Sequence, residues 1–575
     1  MLSGKIITWI KNGKYGFIST NNGERLFFHA SEFVHPITDD LILGSTVRFN
    51  TTTGPRGIRA INIEIDDLSE STHNGQDLQD SEVLVDPHME SEDIEELDTQ
   101  LVEKQLIDEI SRWKRDAKSE DNDRYFWHVR EVDQIAQGDK YFVIGRKGSG
   151  KTAICEYFNR ITQPDVFAET LSFKNFPFNE LYGQKNTKYT APNQFITLWK
   201  YLIYSTVCRM MLKNESVDSN IRSLLESLYK DNSPLSRRVG QWVGKEFGMS
   251  LFGMSIKVSR KDITAEPNSW IDQVDFLEDL IIHYAGTATY YVLFDALDED
   301  YRDIINASQY EQYTSLITSL FKAVQDVRAN LPGFGSTGVF PIIFLRDDIY
   351  ELVQDSDKNK WGDFKVDLNW DYNKIQKVMA FRISRALDPD CDQVMSFDAA
   401  WGKLFGSKHI RVGGRRNRIP TFDFIARSTL LRPRDFVAYL QNCAQYAVEE
   451  GKVISPSVIK KVDKGFSNYL RDELTDELFA ILPDISHIFD AISQLRKWNF
   501  SIKEFEEAYN EKLRKGLVNQ TSFDFVVQSL YLFSVIGNTP YVGRYIFRYQ
   551  NREARLNYNE RIVVHRGLFK ALQII

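Results

Sequence analysis

The first apolar residues alternate with polar ones. Five short alternating runs fall within residues 1–65: Lys5–Ile10, Tyr15–Thr20, Leu26–His29, Thr46–Thr51 and Ile58–Ile65. Period two is the signature of strands with one covered face. Asn12-Gly13 and Asn22-Gly23 separate the first three runs, a strong hairpin signal. Ile6, Ile18, Leu26, Phe28, Val47 and Phe49 supply an interior. These residues predict a small all-β module. The alternation then stops. From Asp66 to Glu103 there is no Lys or Arg, while Asp and Glu recur throughout. Low hydrophobicity with like charges cannot offset ordering entropy, so residues 66–100 are expected to be an acidic, flexible linker.

Beyond residue 101 the pattern changes again. Tyr141–Ile144, Tyr290–Phe294 and Pro341–Leu345 are short continuous apolar runs set among helical stretches. Such runs suit strands of a parallel sheet buried on both faces. An α/β domain is expected over 101–385 and an all-helical lid over 386–470. Further on, Leu474–Leu495, Ile502–Arg514 and Phe523–Phe533 read as helices. Val535–Gly537, Tyr541–Tyr549 and Arg561–His565 then alternate like strands. Three helices followed by a β-hairpin predict a winged-helix-like α+β domain over 471–575. The fold class is therefore multidomain: an OB-type barrel, a P-loop α/β domain with parallel sheet and helical lid, and a winged-helix-like end.

Composition narrows the class. A chain of 575 residues with 42% hydrophobic residues supports several packed cores. No apolar run approaches the roughly 20 residues that span a bilayer, so no membrane partner is expected. The N-terminus carries no charged-then-apolar signal region, and the four cysteines, Cys155, Cys208, Cys391 and Cys443, lack metal spacing. A reducing, cytoplasmic setting follows. A net charge of -9 argues against nucleic acid coating the whole chain, but leaves room for one basic face.

Gly145, Arg146, Lys147, Gly148, Ser149, Gly150, Lys151 and Thr152 spell G-x-x-x-x-G-K-T between an apolar strand run and a helical stretch starting at Ala153. Glycines let backbone N–H groups wrap a phosphate, and a helix N-terminus adds a favourable dipole. Lys151 neutralises the β- and γ-phosphates of ATP, and the Thr152 hydroxyl is a Mg²⁺ ligand. Hydrolysis needs acids on a second strand. Asp295 ends the Tyr290–Phe294 run and is assigned to the metal. Asp298 or Glu299 then orients the attacking water, with Glu299 the first choice. Arg346, at the tip of the third run, either senses the γ-phosphate or pairs with Asp347 or Asp348. Arg432 and Arg434 flank Pro433 at a helix start. Arg434 is the candidate to point back at the phosphates, against plain capping or packing. Arg411, Arg415, Arg416 and Arg418 share one loop, read as an exposed turn first, with a trans-acting finger or a nucleic-acid contact as the alternatives. The role of residues 222–263 is not legible.

In the first module, Tyr15 and Phe17 share a face, and so do Phe27 and His29, with Trp9 able to join them. Flanked by Lys5, Lys11, Lys14, Arg56 and Arg59, such a strip offers stacking to single-stranded bases, worth about 1–3 kcal/mol per base. In the last domain Arg544, Arg548, Arg552 and Arg555 would suit a contact with duplex DNA, unless that domain packs on the ATPase core or on a protein.

Two resemblances follow. Gly4–Phe17, Leu26–Ser31 and Gly54–Ile63 resemble a cold-shock domain, whose RNA-binding motifs match Lys14–Ile18 and Leu26–Ala30. By motif position the resemblance implies that Trp9, Tyr15, Phe17, Phe27 and His29 stack on bases. GRKGSGKT, VLFDALDED, IIFLRDDIYELV, the Val366–Arg382 stretch and LRPRDF resemble a bacterial family of P-loop ATPases labelled FunZ-like, near the signalling and initiator-type branches. The expectation is an ATPase coupling nucleotide state to single-stranded DNA or RNA, with a homo-oligomer or a partner protein. The alternative is an ATP-dependent oligomeric scaffold or sensor in bacterial defence or stress signalling, its effector on a partner. A third reading is an RNA chaperone with an ATPase appendage.

Overall fold

The computed structural model describes residues 2–10, 15–20, 25–29, 32–34, 45–54, 57–65, 102–173, 191–229, 270–298, 307–331, 338–391, 393–413, 417–519, 522–541 and 543–574. The chain forms two compact units, Met1–Glu96 and Leu97–Ile575.

In the first unit β1 (Leu2–Ile10), β2 (Tyr15–Thr20), β3 (Arg25–His29), β4 (Thr46–Gly54) and β5 (Gly57–Ile65) close into a barrel in the order β1-β2-β3-β5-β4. Closure pairs β4 antiparallel with β1 and leaves no open edge for another chain. Ile6, Ile18, Leu26, Phe28, Val47 and Phe49 are all buried, and Ala60 and Ile63 join them. The two Asn-Gly turns and the acidic stretch 66–100 lie outside the described residues.

The second unit begins with a helix over residues 102–111. Its central elements are α1 (Arg130–Ala136), β6 (Phe142–Ile144), α2 (Lys151–Asn159), β7 (Val166–Ser172), α3 (Ala191–Met211), α4 (Ser219–Leu228) and α5 (Trp270–Tyr284). There follow β8 (Thr289–Asp295), α6 (Ala307–Asn330), β9 (Gly338–Leu345), α7 (Asp347–Leu352) and β10 (Lys365–Asp367). The strands form one parallel sheet in the order β10-β6-β9-β8-β7. Every residue of β8 is buried, which explains its unbroken apolar run. Trp199, Phe294 and Phe321 pack on one face of the sheet, and Ile154, Phe158 and Tyr291 on the other.

Past the sheet run α8 (Tyr372–Leu387), α9 (Phe397–Leu404), β11 (His409–Arg411), β12 (Arg418–Pro420), α10 (Thr421–Ala426), α11 (Pro433–Glu450) and α12 (Pro456–Leu478). Asp371 starts α8 by accepting from the Lys374 N–H, Pro433 starts α11, and Gly451 ends it with left-handed φ. The arginine segment connects β11 to β12, which pair antiparallel with Arg411 opposite Arg418, and residues 414–416 lie outside the described set.

The end of the chain comprises α13 (Ile485–Gln494), β13 (Asn499–Phe500), α14 (Ile502–Arg514), α15 (Phe523–Leu532), β14 (Ile536–Tyr541), β15 (Arg544–Ile546) and β16 (Arg561–Val564). Its sheet order is β13-β16-β14-β15. The Leu474–Leu495 run is two helices rather than one. Pro483 lies between α12 and α13, where it cannot continue a helix. Strand β13 escaped the pattern because two residues show no periodicity. One apolar cluster joins Ile375, Phe436 and Leu470 to Phe500, Tyr509 and Ile562. Lid and C-terminal elements thus share a core, and α12 runs unbroken across position 470. Among the described residues no helix is long and apolar enough to cross a membrane.

Candidate nucleotide site

Four parallel strands deliver their carboxyl ends to one place. Gly145 follows β6, Asp295 ends β8, Arg346 follows β9 and Asp367 ends β10. Ligands of open α/β sheets sit outside these ends. Gly145–Gly150 link β6 to α2, and Gly148 and Gly150 hold φ of +78° and +98°. Side chains resist that left-handed backbone, so glycine is the residue that fits. A Cβ on Gly145 would also come within 2.5 Å of Ser149 Oγ. That Oγ is buried with no hydrogen-bond partner among the described residues, and so is a donor without an acceptor. Lys151 Nζ donates to the carbonyls of Gly145 and Arg146 at 2.8 and 3.0 Å. Burial lowers the Lys151 pKa, against the attraction of Asp298 and Asp347. Thr152 and Ala153 follow in the first turn of α2.

The acids face this loop. Asp295 is buried, and desolvation raises its pKa above the ordinary carboxylate range while Lys118 draws it down. Lys118 Nζ stands 3.7 Å from Asp295 Oδ2. A buried carboxylate beside a threonine-bearing helix start is a hard oxygen set that suits Mg²⁺. Asp298 lies 3.5 Å from Arg346 Nη1. Glu299 lies outside the described residues. Arg346 itself is buried and grips Asp348 with two bonds, Nε to Oδ1 at 3.0 Å and Nη2 to Oδ2 at 2.6 Å. Of the readings open for Arg346, the Asp348 pair is therefore present, and the side chain also points toward Asp298.

Arg432 and Arg434 come to the P-loop from almost three hundred residues away. The side chain of Arg434 packs against Gly148, whose added Cβ would sit 3.2 Å from Arg434 Cβ, and its Nη1 lies 3.7 Å from Glu473. Arg432 is the more deeply placed of the two. Its Nε binds Asp435 at 3.1 Å, and its Nη1 donates to Glu477 at 2.7 Å and to the Lys147 carbonyl at 3.2 Å. Burial opposes its charge, but Asp435 and Glu477 outweigh burial and raise its pKa. Lys147 also meets Glu473 at 3.3 Å, and Arg146 donates to the Leu430 carbonyl. Trp370 Nε1 donates to the Ser149 carbonyl at 2.8 Å. Lys118, Trp370, Glu473 and Glu477 were missed by sequence reasoning. Trp370 and Arg432 stood inside quoted motifs, whereas Lys118 had no local signal.

The C-terminal elements pack over the first part of the loop. A crevice of about 400 Å³ is lined by Arg146, Ser149, Arg346, Trp370 and Arg432 below, and by Tyr549 and Arg552 above. The Arg146 guanidinium lies 5.7 Å from the centre of the Tyr549 ring. Two of the four arginines expected to face duplex DNA are turned to the core instead. Arg548 pairs with Glu351, and Arg552 with Asp347 at 3.1 Å and Asp367 at 2.7 Å.

In the barrel, Phe17 stands opposite Phe27 and Tyr15 opposite His29. These positions have the opposite parity to the buried Ile18, Leu26 and Phe28. A bulge between Ile6 and Thr8 shifts β1, so that Thr8 faces Phe17 and Trp9 faces Gly16. The side chains of Trp9, Tyr15, Phe17, Phe27 and His29, and all of Lys14 and Arg56, lie outside the described set. Lys5 is exposed on β1.

Fold and site define a P-loop-type α/β domain with a helical lid, preceded by a β-barrel. The 'Cold-shock' DNA-binding domain family matches residues 3–65, and the FunZ-associated C-terminal helical domain family matches residues 373–475. The chain therefore carries a cold-shock domain and a FunZ-associated C-terminal helical domain. Of the motifs behind the second resemblance, LRPRDF falls wholly inside the matched span, while the P-loop and FLRDDIY precede it. Among solved structures the chain is similar to Drosophila ORC bound to DNA, at 12% identity over 88% of this chain and 97% of that one, with a TM-score of 0.27. It is also similar to Cdc6p from Pyrobaculum aerophilum, at 11% identity over 76% and 89%, with a TM-score of 0.25. No curated protein matches the chain.

Proposed function

We propose that the chain is an ATPase that couples nucleotide state to single-stranded nucleic acid held by the cold-shock barrel. The observation that carries the enzyme half is the meeting of Gly145–Thr152, Asp295 and Arg434 at the carboxyl ends of one parallel sheet. Backbone N–H groups of the loop and Ser149 Oγ would bind the phosphates, and Lys151 would leave the Gly145 and Arg146 carbonyls to neutralise them. Thr152 and Asp295 would hold Mg²⁺, which when bound supplies Lewis-acid stabilisation of charge on the phosphoryl oxygens. Asp298 or Glu299 would orient the attacking water. Arg346 and Arg434, each already held by carboxylates, would report the γ-phosphate to strand β9 and to the lid. Positions 15, 17, 27 and 29 of the barrel would stack on bases of DNA or RNA. The reading includes a homo-oligomer and a winged-helix role for the last domain, toward DNA or protein.

ATP turnover and native mass, each with and without poly-dT and RNA, test it. Nucleic acid should change the turnover or the assembly state, and a Tyr15/Phe17/Phe27 triple alanine variant should lose that response. Unchanged turnover, with the triple variant binding as tightly as the parent, sinks the coupling.

A further inference from the structure

The segment between β15 and β16 straddles the P-loop. On one side it is anchored by apolar and backbone contacts. The rings of Phe547 and Tyr549 lie 5.3 Å from His565, and the Tyr549 N–H donates to Ser534 Oγ at 2.9 Å. On the other side it is held by ion pairs. Arg548 reaches Glu351 on α7, and Arg552 bridges Asp347, at the start of α7, and Asp367, at the end of β10. Those elements belong to β9 and β10, the two strands that flank β6 and its loop. Between the two anchors, Tyr549 covers Arg146 of the P-loop itself.

We infer that residues 548–552 form a charge-latched strap that gates access of a nucleoside triphosphate to the P-loop; this rests on the nucleotide reading above. The crevice beneath is polar and is lined by this segment together with Arg146, Lys147 and Ser149 of the loop, so a ligand reaching those residues from that side passes under the strap. Lifting breaks three ion pairs and the Tyr549 contacts with Arg146, His565 and Ser534, and leaves the Phe547–His565 contact as a hinge. Each pair keeps a fifth or more of at least one partner in water. Such pairs are individually weak and are screened by salt, which suits a latch that opens often.

The test is stopped-flow binding of a fluorescent ATP analogue to the full chain, paired with amide exchange over 547–553 without nucleotide. Replacing both arginines, Arg548→Gln and Arg552→Gln, should speed exchange in the strap. It should also raise the association and dissociation rates by about tenfold, leaving the Kd within about threefold, since each pair is worth a factor of about two. Raising salt from about 50 to about 500 mM should speed association to the parent and not to the double variant. The charge swap Arg548→Glu with Glu351→Arg restores one pair at constant net charge, and should return rates toward the parent. Faster exchange in the strap with unchanged or slower association overturns the gate. Failure of every form to bind the analogue defeats the nucleotide reading and the gate with it, while exchange still reports whether the ion pairs hold the strap.

Discussion

Arg432→Ala probes the joint between lid and P-loop most directly. The guanidinium is almost wholly buried, and so are both its carboxylate partners, Asp435 and Glu477. Truncation leaves two buried acids without their cation, although Asp435 keeps the Leu430 N–H at 2.9 Å. Breaking a buried ion pair from one side costs about 3–5 kcal/mol. The Lys147 carbonyl also loses its donor, so the P-loop should loosen. The pH dependence carries a sign. In the parent, burial alone would raise the Glu477 pKa, but Arg432, Lys147 and Arg346 outweigh it and hold the carboxyl below its ordinary value. That stabilisation is present above the unfolded pKa and is lost as pH falls through the lowered one. Without Arg432, burial dominates, the folded carboxyl takes up a proton more readily, and acid relieves the defect. A urea titration followed by tryptophan fluorescence should therefore show the largest deficit at about pH 7.5 and a smaller one at about pH 5.5. A deficit under about 1 kcal/mol at neutral pH, or one that grows on acidification, would refute the reasoning.

Three further outcomes are expected. Lys151→Met should weaken calorimetric binding of ATP with Mg²⁺ by more than about tenfold while leaving the ligand-free melt close to the parent, because methionine keeps the buried stem, and the two hydrogen bonds lost to the Gly145 and Arg146 carbonyls are offset by no longer burying an ammonium. Gly148→Ala should cost about 1–3 kcal/mol in a denaturant melt, because alanine must adopt the positive φ and press on Arg434. His565 is buried beside Phe547 and Tyr549, and desolvation first, then Arg146 and Arg432, push its pKa down to about 3. The folded state thus refuses a proton that the unfolded state accepts below about pH 6.5. Stability should be full above that pH and fall by about 3 kcal/mol between pH 6.5 and 4. His565→Gln should flatten that part of the stability profile; an unchanged slope would rule His565 out as its source.

Much of the architecture was legible because it depends on short-range rules. Alternation and Asn-Gly turns marked the barrel strands, and its six core residues followed from parity. The unbroken apolar runs of β8 and β9 announced strands covered on both faces. The left-handed turns at Gly148 and Gly150 were legible because glycine is the residue that tolerates the backbone there. Local signals failed where an element was too short to show a period, as at β13. They failed also at Pro483, where a helical composition continued across a break.

The sequence by itself determined the strand–loop–helix of the P-loop, the barrel's inside and outside, and the acid at the end of β8. Each rests on backbone sterics or on periodicity within a dozen residues. Only the tertiary structure decided which arginine reaches the loop deepest, since Arg432 and Arg434 differ by two positions on one helix start and by the carboxylates of α12 that await them. It likewise decided that Lys118 stands by Asp295, and that Arg548 and Arg552 face core carboxylates rather than solvent. Charges pair across hundreds of residues according to where packing puts them, and no local pattern encodes that distance.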